Sequence, residues 1–230
     1  MLQLIDPAMQ TYVDDRGFAG ISVVVARHGR IVFTGQYGQR DKEAGLAMSR
    51  DTIFRIYSMT KPVVAAGLMA LFDDAKVALT DAVAQYLPAF GRARVLSADG
   101  DLVDVARPIL VSDLLTHTSG LTNELQDTPV AALYRDARLH NDPTQSLTAF
   151  IDDLSELPLA FHPGQRWHYG AGLDVAARLI EVIADQPLGA FLAERILVPL
   201  DMTDTAFGVP DVKLDRLAAI YGLPDVFAKD

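Results

Sequence analysis

The chain has 230 residues, half of them hydrophobic, enough to bury a substantial core in one large domain or two small ones. Its formal net charge of −10 is spread along the sequence without a basic stripe, which argues against a nucleic-acid partner whose phosphates it would repel. Cysteine is absent, so disulfides and thiolate metal sites are excluded.

Residues 1–15 carry no charged-then-apolar leader pattern, and no apolar run is long enough to span a bilayer. A cytoplasmic protein with no membrane partner is therefore expected. Leu2, Ile5, Met9, Tyr12 and Val13 recur at helical spacing and predict an amphipathic helix that ends before Gly17 and Gly20. The β-branched run 21–26 and a second run 31–37 flank His28, Gly29 and Arg30, which reads as a β-hairpin with a tight turn. A further extended run, 52–57, leads into a helix expected to start near Ser58. Pro62 falls in its first turn, and Val64, Leu68, Leu71 and Ala75 lie along one apolar face.

Beyond this helix the pattern is mainly helical, with loops at Pro88, Gly91, the polar stretch 97–104 and Pro108. Ser112 is expected to cap a short helix through Leu115, and Ser146 another through Leu154. Segments 172–184 and 188–197 read as two more helices, and no internal repeat is present. A lone hairpin is marginal in water, so the two strands must either pack on helices as a small sheet or find partner strands outside this chain.

Ser58 and Lys61 stand three residues apart, a separation that makes side chains neighbours on a helix. Serine needs a positioned base to become a nucleophile, and a lysine whose pKa is lowered can serve. The spacing alone is weak: with eight serines and five lysines in the chain, chance gives it in about one chain in six. Ser58 as an ordinary helix N-cap is the competing reading.

Flanking segments add weight. The run 52–62 (TIFRIYSMTKP), LLTHTSGL at 114–121, Pro163-Gly164 with Trp167 and Tyr169, and Pro199-Leu200 followed by Met202-Thr203-Asp204-Thr205 together resemble the serine β-lactamase and penicillin-binding family. Within it they are most similar to the class C β-lactamases and the carboxylesterases that share their fold. The resemblance runs in order from about Gly20 to Tyr221. It implies an α+β fold of the β-lactamase/transpeptidase type, with an antiparallel sheet flanked by helices, a helical subdomain, and the C-terminal strands lacking. The expected organisation is one domain over 1–230, incomplete at its C-terminus, with the first helix and the sheet strands in 1–57 and a mainly helical part in 58–230.

The resemblance also implies roles. Ser58 matches the acylated nucleophile, Lys61 the lysine that assists its deprotonation, and Tyr169 the tyrosine that shuttles protons between nucleophile, leaving group and water. A phenolate at Tyr169 would need a neighbouring cation such as Lys61. Trp167, as packing or pocket wall, and Ala171 fall at substrate-binding positions. His117, in the HTSG segment, is expected to be structural, and no G-x-S-x-G elbow is present. His28, His140, His162 and His168 show no zinc-ligand spacing, so neither a metal nor a cofactor is expected.

Two departures from the family pattern bear on substrate. The second motif usually reads Tyr-x-Asn, and here Ala171 replaces the asparagine that would contact a β-lactam amide, which favours an esterase. The third motif, Lys-Thr-Gly or a variant on a late strand, is not found, although its N–H donor is commonly worth about 10² to 10³ in rate. Family members are longer, and the tail 213–230, with Leu217, Tyr221 and Leu223, shows no closing element. The expected function is acyl-enzyme hydrolysis of short-acyl carboxylic esters. A β-lactamase, D-peptidase or acyltransferase on the same fold remains open, as does a catalytically impaired fragment that acts by binding. The expected partners are a small-molecule ester or amide and, at the uncovered hairpin edge, another copy or a missing C-terminal segment.

Overall fold

The computed structural model describes residues 2–139 and 144–222, which leaves His140 and Leu223 outside. The chain divides into two units, Met1–Tyr57 with Ala206–Asp230, and Ser58–Thr205. The segment from Ala206 on groups with residues 1–57 and not with the helical part.

In the first unit, a short 3-10 turn leads into helix α1 (Ile5–Asp14). Strands β1 (Gly20–Arg27) and β2 (Arg30–Asp41) pair antiparallel, with Val24 opposite Thr34 and a register shift at Val25/Ala26. His28 and Gly29 both take positive φ, 51° and 72°, the conformation that matches a two-residue turn to the right-handed twist of the strands. Arg30, expected in the turn, instead opens β2. A two-residue strand, β3 (Leu46–Ala47), pairs with β2 and completes the sheet order β1-β2-β3. The Tyr37 hydroxyl donates to Asp6 at 2.5 Å and ties α1 to β2.

The extended run 52–57 is not a ladder strand. Within it, Ile53 makes an isolated parallel bridge to Leu217: Ile53 N–H donates to the Arg216 carbonyl at 2.8 Å, and Ala218 N–H to the Ile53 carbonyl at 2.9 Å. The tail thus closes onto this unit, contrary to the expectation from its sequence. Arg55 donates to the Ala218 carbonyl, Ala219 N–H to that of Arg40, and the Tyr221 hydroxyl to Glu43. Backbone hydrogen bonds do most of this work, and they leave no signature in residue type.

The second unit is built around α2 (Thr60–Asp73) and α6 (Gly172–Ala184), which pack against each other. Val64, Leu68 and Leu71 of α2 meet Leu179 and Ile180 of α6 and Phe191 and Leu192 of α7 (Leu188–Leu192) in one core. Gly67 lets α7 come close, because a Cβ there would lie 2.6 Å from Leu192 Cδ2. Ala75, expected on the apolar face of α2, lies past the helix end in a left-handed turn. α7 runs on through a π-helical turn, Ala193–Leu197, so the predicted helix 188–197 is one segment with a wider last turn.

The smaller elements correct the reading in places. The stretch 97–104 is not all loop: β4 (Arg94–Leu96) and β5 (Leu102–Asp104) form a small hairpin whose strands are too short to show a period. Ser112 does not cap α3 (Val111–Leu115). The helix follows Leu110, whose N–H is taken by the Asp113 carboxylate at 2.8 Å. Helix α4 (Pro129–Ala137) was not anticipated, and Thr128 caps it through Ala131 N–H. Ser146 caps α5 (Leu147–Ser155) as the sequence suggests, accepting from Ala149 N–H at 3.1 Å. Among the described residues no helix is long and apolar enough to cross a membrane.

Candidate active site

Ser58 sits in a 3-10 turn, Tyr57–Met59, immediately before α2. It is not the helix N-cap: that position is Met59, which makes no side-chain cap bond. The serine hydroxyl is exposed, and it lies 3.2 Å from the hydroxyl of Tyr169, 111 positions along the chain. Tyr57 enters the turn with φ 43°, a left-handed conformation that is strained for a bulky residue and recurs next to reactive groups.

Lys61, the second residue of α2, is half-buried, and its Nζ lies 5.3 Å from the centre of the Tyr169 ring. The sequence reading gives the lysine two partners, Ser58 and Tyr169, and the structure sets its Nζ over the tyrosine ring. The phenol is held below its ordinary range, first by hydrogen bonding to Ser58 and then by Lys61, against partial burial and the charge of Asp174. A phenol so lowered can accept the serine proton nearer to neutral pH.

Tyr169 is fixed by backbone. His168 N–H donates to the His117 carbonyl at 2.8 Å, Ala171 N–H to that of Thr122 at 3.2 Å, and the Asn123 amide to the Tyr169 carbonyl at 2.9 Å. These bonds hold segment 168–171 against loop 117–123. Only glycine fits at 170, since a Cβ would lie 2.3 Å from the Leu121 carbonyl oxygen.

The loop is anchored in turn by a buried carboxylate. Asp113 accepts two bonds from the Arg107 guanidinium, at 2.6 and 2.9 Å, and one from the Thr118 hydroxyl at 3.0 Å. Burial pushes this carboxyl up, but Arg107, the Leu110 N–H and Thr118 outweigh it and hold it below the usual range. Gly164 closes the clamp. Its N–H donates to the Thr118 carbonyl at 2.7 Å, and a Cβ there would lie 2.1 Å from the guanidinium. The HTSG and Pro-Gly segments are thus two sides of one support for Tyr169.

The other anticipated positions divide. Trp167 is 67 % exposed beside the site, its ring 6.2 Å from that of His117. Ala171 is buried in the core at the start of α6, so it presents no side chain at the surface. Asp174, in the first turn of α6, was missed, yet its charge acts on both Tyr169 and His117. An acidic residue in the first helical turn after the tyrosine motif was the available signal.

The chain is similar in sequence and fold to known proteins. The Beta-lactamase family model matches residues 5–228. Esterase EstB of Burkholderia gladioli is 35 % identical over 209 residues, covering 88 % of this chain and 50 % of its own. EstCE1, described as a hydrolase with promiscuous acyltransferase activity, superposes with a TM-score of 0.82 at 29 % identity, over 94 % of this chain and 55 % of its own. Simvastatin synthase (LovD) from Aspergillus terreus gives 0.79 at 28 % identity, over 94 % and 56 %. The chain spans about half the length of the curated relatives it matches.

Proposed function

The chain belongs to the Beta-lactamase family, and from that premise we propose that it carries the acylation centre of a serine hydrolase acting on carboxylic esters. The observation that carries this reading is the Ser58 hydroxyl 3.2 Å from the Tyr169 phenol, with the Lys61 ammonium over the phenol ring. Tyr169 as phenolate takes the proton of Ser58, and the serine oxygen attacks the ester carbonyl. The tetrahedral adduct collapses, the ester C–O bond breaks, and Tyr169 returns the proton to the departing alcohol. Water then attacks the acyl-serine with Tyr169 as base, releasing the acid and restoring the serine. Lys61 stabilises the phenolate throughout.

The preference for esters over β-lactams is carried by the resemblance: where the family pattern places an asparagine against a lactam amide, this chain has Ala171, a buried side chain that can neither donate nor accept. Short acyl groups are the first substrates to try. EstB carries an esterase name and EstCE1 is called a hydrolase, which supports the ester reading.

A fluorophosphonate serine probe tests the proposal on this chain, with mass spectrometry to place the label. Stoichiometric modification of Ser58 is expected, with none in Ser58→Ala and labelling slowed about 10²- to 10⁴-fold in Tyr169→Phe. Labelling that survives Ser58→Ala, or an unreactive wild-type chain, overturns it. Parallel assays with a chromogenic ester and a chromogenic cephalosporin rank the substrate classes.

A further inference from the structure

His117 concentrates features that its local surroundings do not explain. Its backbone φ is 54°, in a region uncommon for residues with a Cβ. Its Nδ1 is wholly enclosed and has no hydrogen-bond partner, a rare condition for a buried polar atom. The backbone alone would be better served by glycine or asparagine, and packing alone by a ring without a polar atom. What the imidazole does touch is the proposed site: its centre lies 4.9 Å from that of the Tyr169 ring, the planes tilted by 37°, with Trp167 on its other contact at 6.2 Å.

We propose that His117 is a positioning residue for Tyr169, its ring pressed on the phenol ring so that the tyrosine hydroxyl stays on Ser58. This rests on the acylation reading above. The position of the imidazole is itself fixed, since the next residue, Thr118, is bound through its hydroxyl and its N–H to Asp113, and the His117 carbonyl takes the His168 N–H. A chain of short contacts therefore runs from the Arg107–Asp113 pair through loop 117–118 to the phenol.

The charged and titratable groups that face the imidazole are Lys61 from α2, Asp174 from α6 and Tyr169 itself. Burial and then Lys61 hold the His117 pKa below its ordinary value, and Asp174 opposes them. Burial and the neighbouring lysine therefore favour the neutral form of the ring.

The test reads the phenol directly. Ultraviolet difference titration, with Tyr169→Phe as the subtraction, follows Tyr169 ionisation in wild type, H117N and H117F, and the serine probe follows Ser58 labelling in parallel. In H117N, which accepts the left-handed backbone but lacks the ring, Tyr169 should ionise at higher pH and labelling should slow roughly 10- to 100-fold. H117F, which keeps a ring, should restore most of both. An unchanged Tyr169 titration in H117N overturns the inference. Should H117N fail to fold, H117F decides: a wild-type-like titration supports the ring contact, and a return to the ordinary phenol value refutes it. If the titration moves in H117N while no variant is labelled at Ser58, the acylation reading falls and the positioning role stands.

Discussion

The two units of this chain seal their interiors to different degrees. In the helical unit Leu68, Leu71, Leu114, Leu154, Leu159, Leu179 and Ile180 are fully buried and belong to one core. In the sheet unit Val24 is 58 % exposed and Ile31 56 %, and an open groove of about 720 Å³ is lined by residues that include Phe18, Met48, Phe54 and Tyr221. One unit is held by side-chain packing, the other by backbone ladders, the Tyr37–Asp6 bond and the tail bridge to Ile53. Ser58, Lys61 and Tyr169 all lie in the packed unit. A hydroxyl pair at 3.2 Å needs rigid supports, and a close-packed core with a buried carboxylate supplies them.

Substitutions can break this contrast. Removing the buried carboxylate in Asp113→Ala takes the acceptor from Arg107, the Leu110 N–H and the Thr118 hydroxyl together and should destabilise the helical unit by about 3 to 5 kcal/mol, read as a lower midpoint in urea. The same carboxylate makes that unit acid-sensitive. The Asp113 pKa is depressed in the folded state, so its contribution is present above the ordinary carboxylate pKa and is lost as pH falls below it. Leu68→Ala should cost about 2 to 5 kcal/mol, because the cavity opens between α2 and α6 where little can collapse. Equal losses from Val24→Ala would show that the sheet unit is as tightly sealed, contrary to its exposure. That change should instead stay within about 0.5 kcal/mol.

Smaller effects sharpen the comparison. Ser146→Ala removes the α5 cap and should cost about 1 kcal/mol, seen as faster hydrogen exchange at Ala149. The smallest effect belongs to the sheet unit at high pH. Tyr37 is raised to about 12, first by its hydrogen bond to Asp6, so its contribution is intact below pH 10 and is lost as pH climbs from there toward 12. Tyr37→Phe should flatten that alkaline slope for β1 and β2 amides. An unaltered slope would mean that the Tyr37–Asp6 bond does not hold α1 on the sheet.

Local signals carried far into the fold. The apolar period of α6 gave its bounds, Gly172–Ala184, from spacing alone, and Ser146 announced its cap, because helix period and capping are decided within one or two turns. The hairpin followed from two β-branched runs about His28 and Gly29. Ser112 failed as a cap because the helix already starts at Val111, which puts Ser112 inside its first turn. The tail escaped notice because its attachment to Ile53 is a backbone pairing between positions about 160 residues apart.

By itself the sequence determined which residue types were available for chemistry: a serine and lysine three apart, a tyrosine after a Pro-Gly segment, an alanine where an amide might stand. Tertiary structure decided how they meet. It gave the serine hydroxyl to Tyr169, set Lys61 over the phenol ring, withdrew Ala171 into the core and set His117 against the tyrosine. The reason is physical: a helix fixes neighbours three or four residues apart, whereas the partner of a side chain 111 positions away is set by which loops a close-packed core, two close-fitting glycines and one buried carboxylate allow to touch.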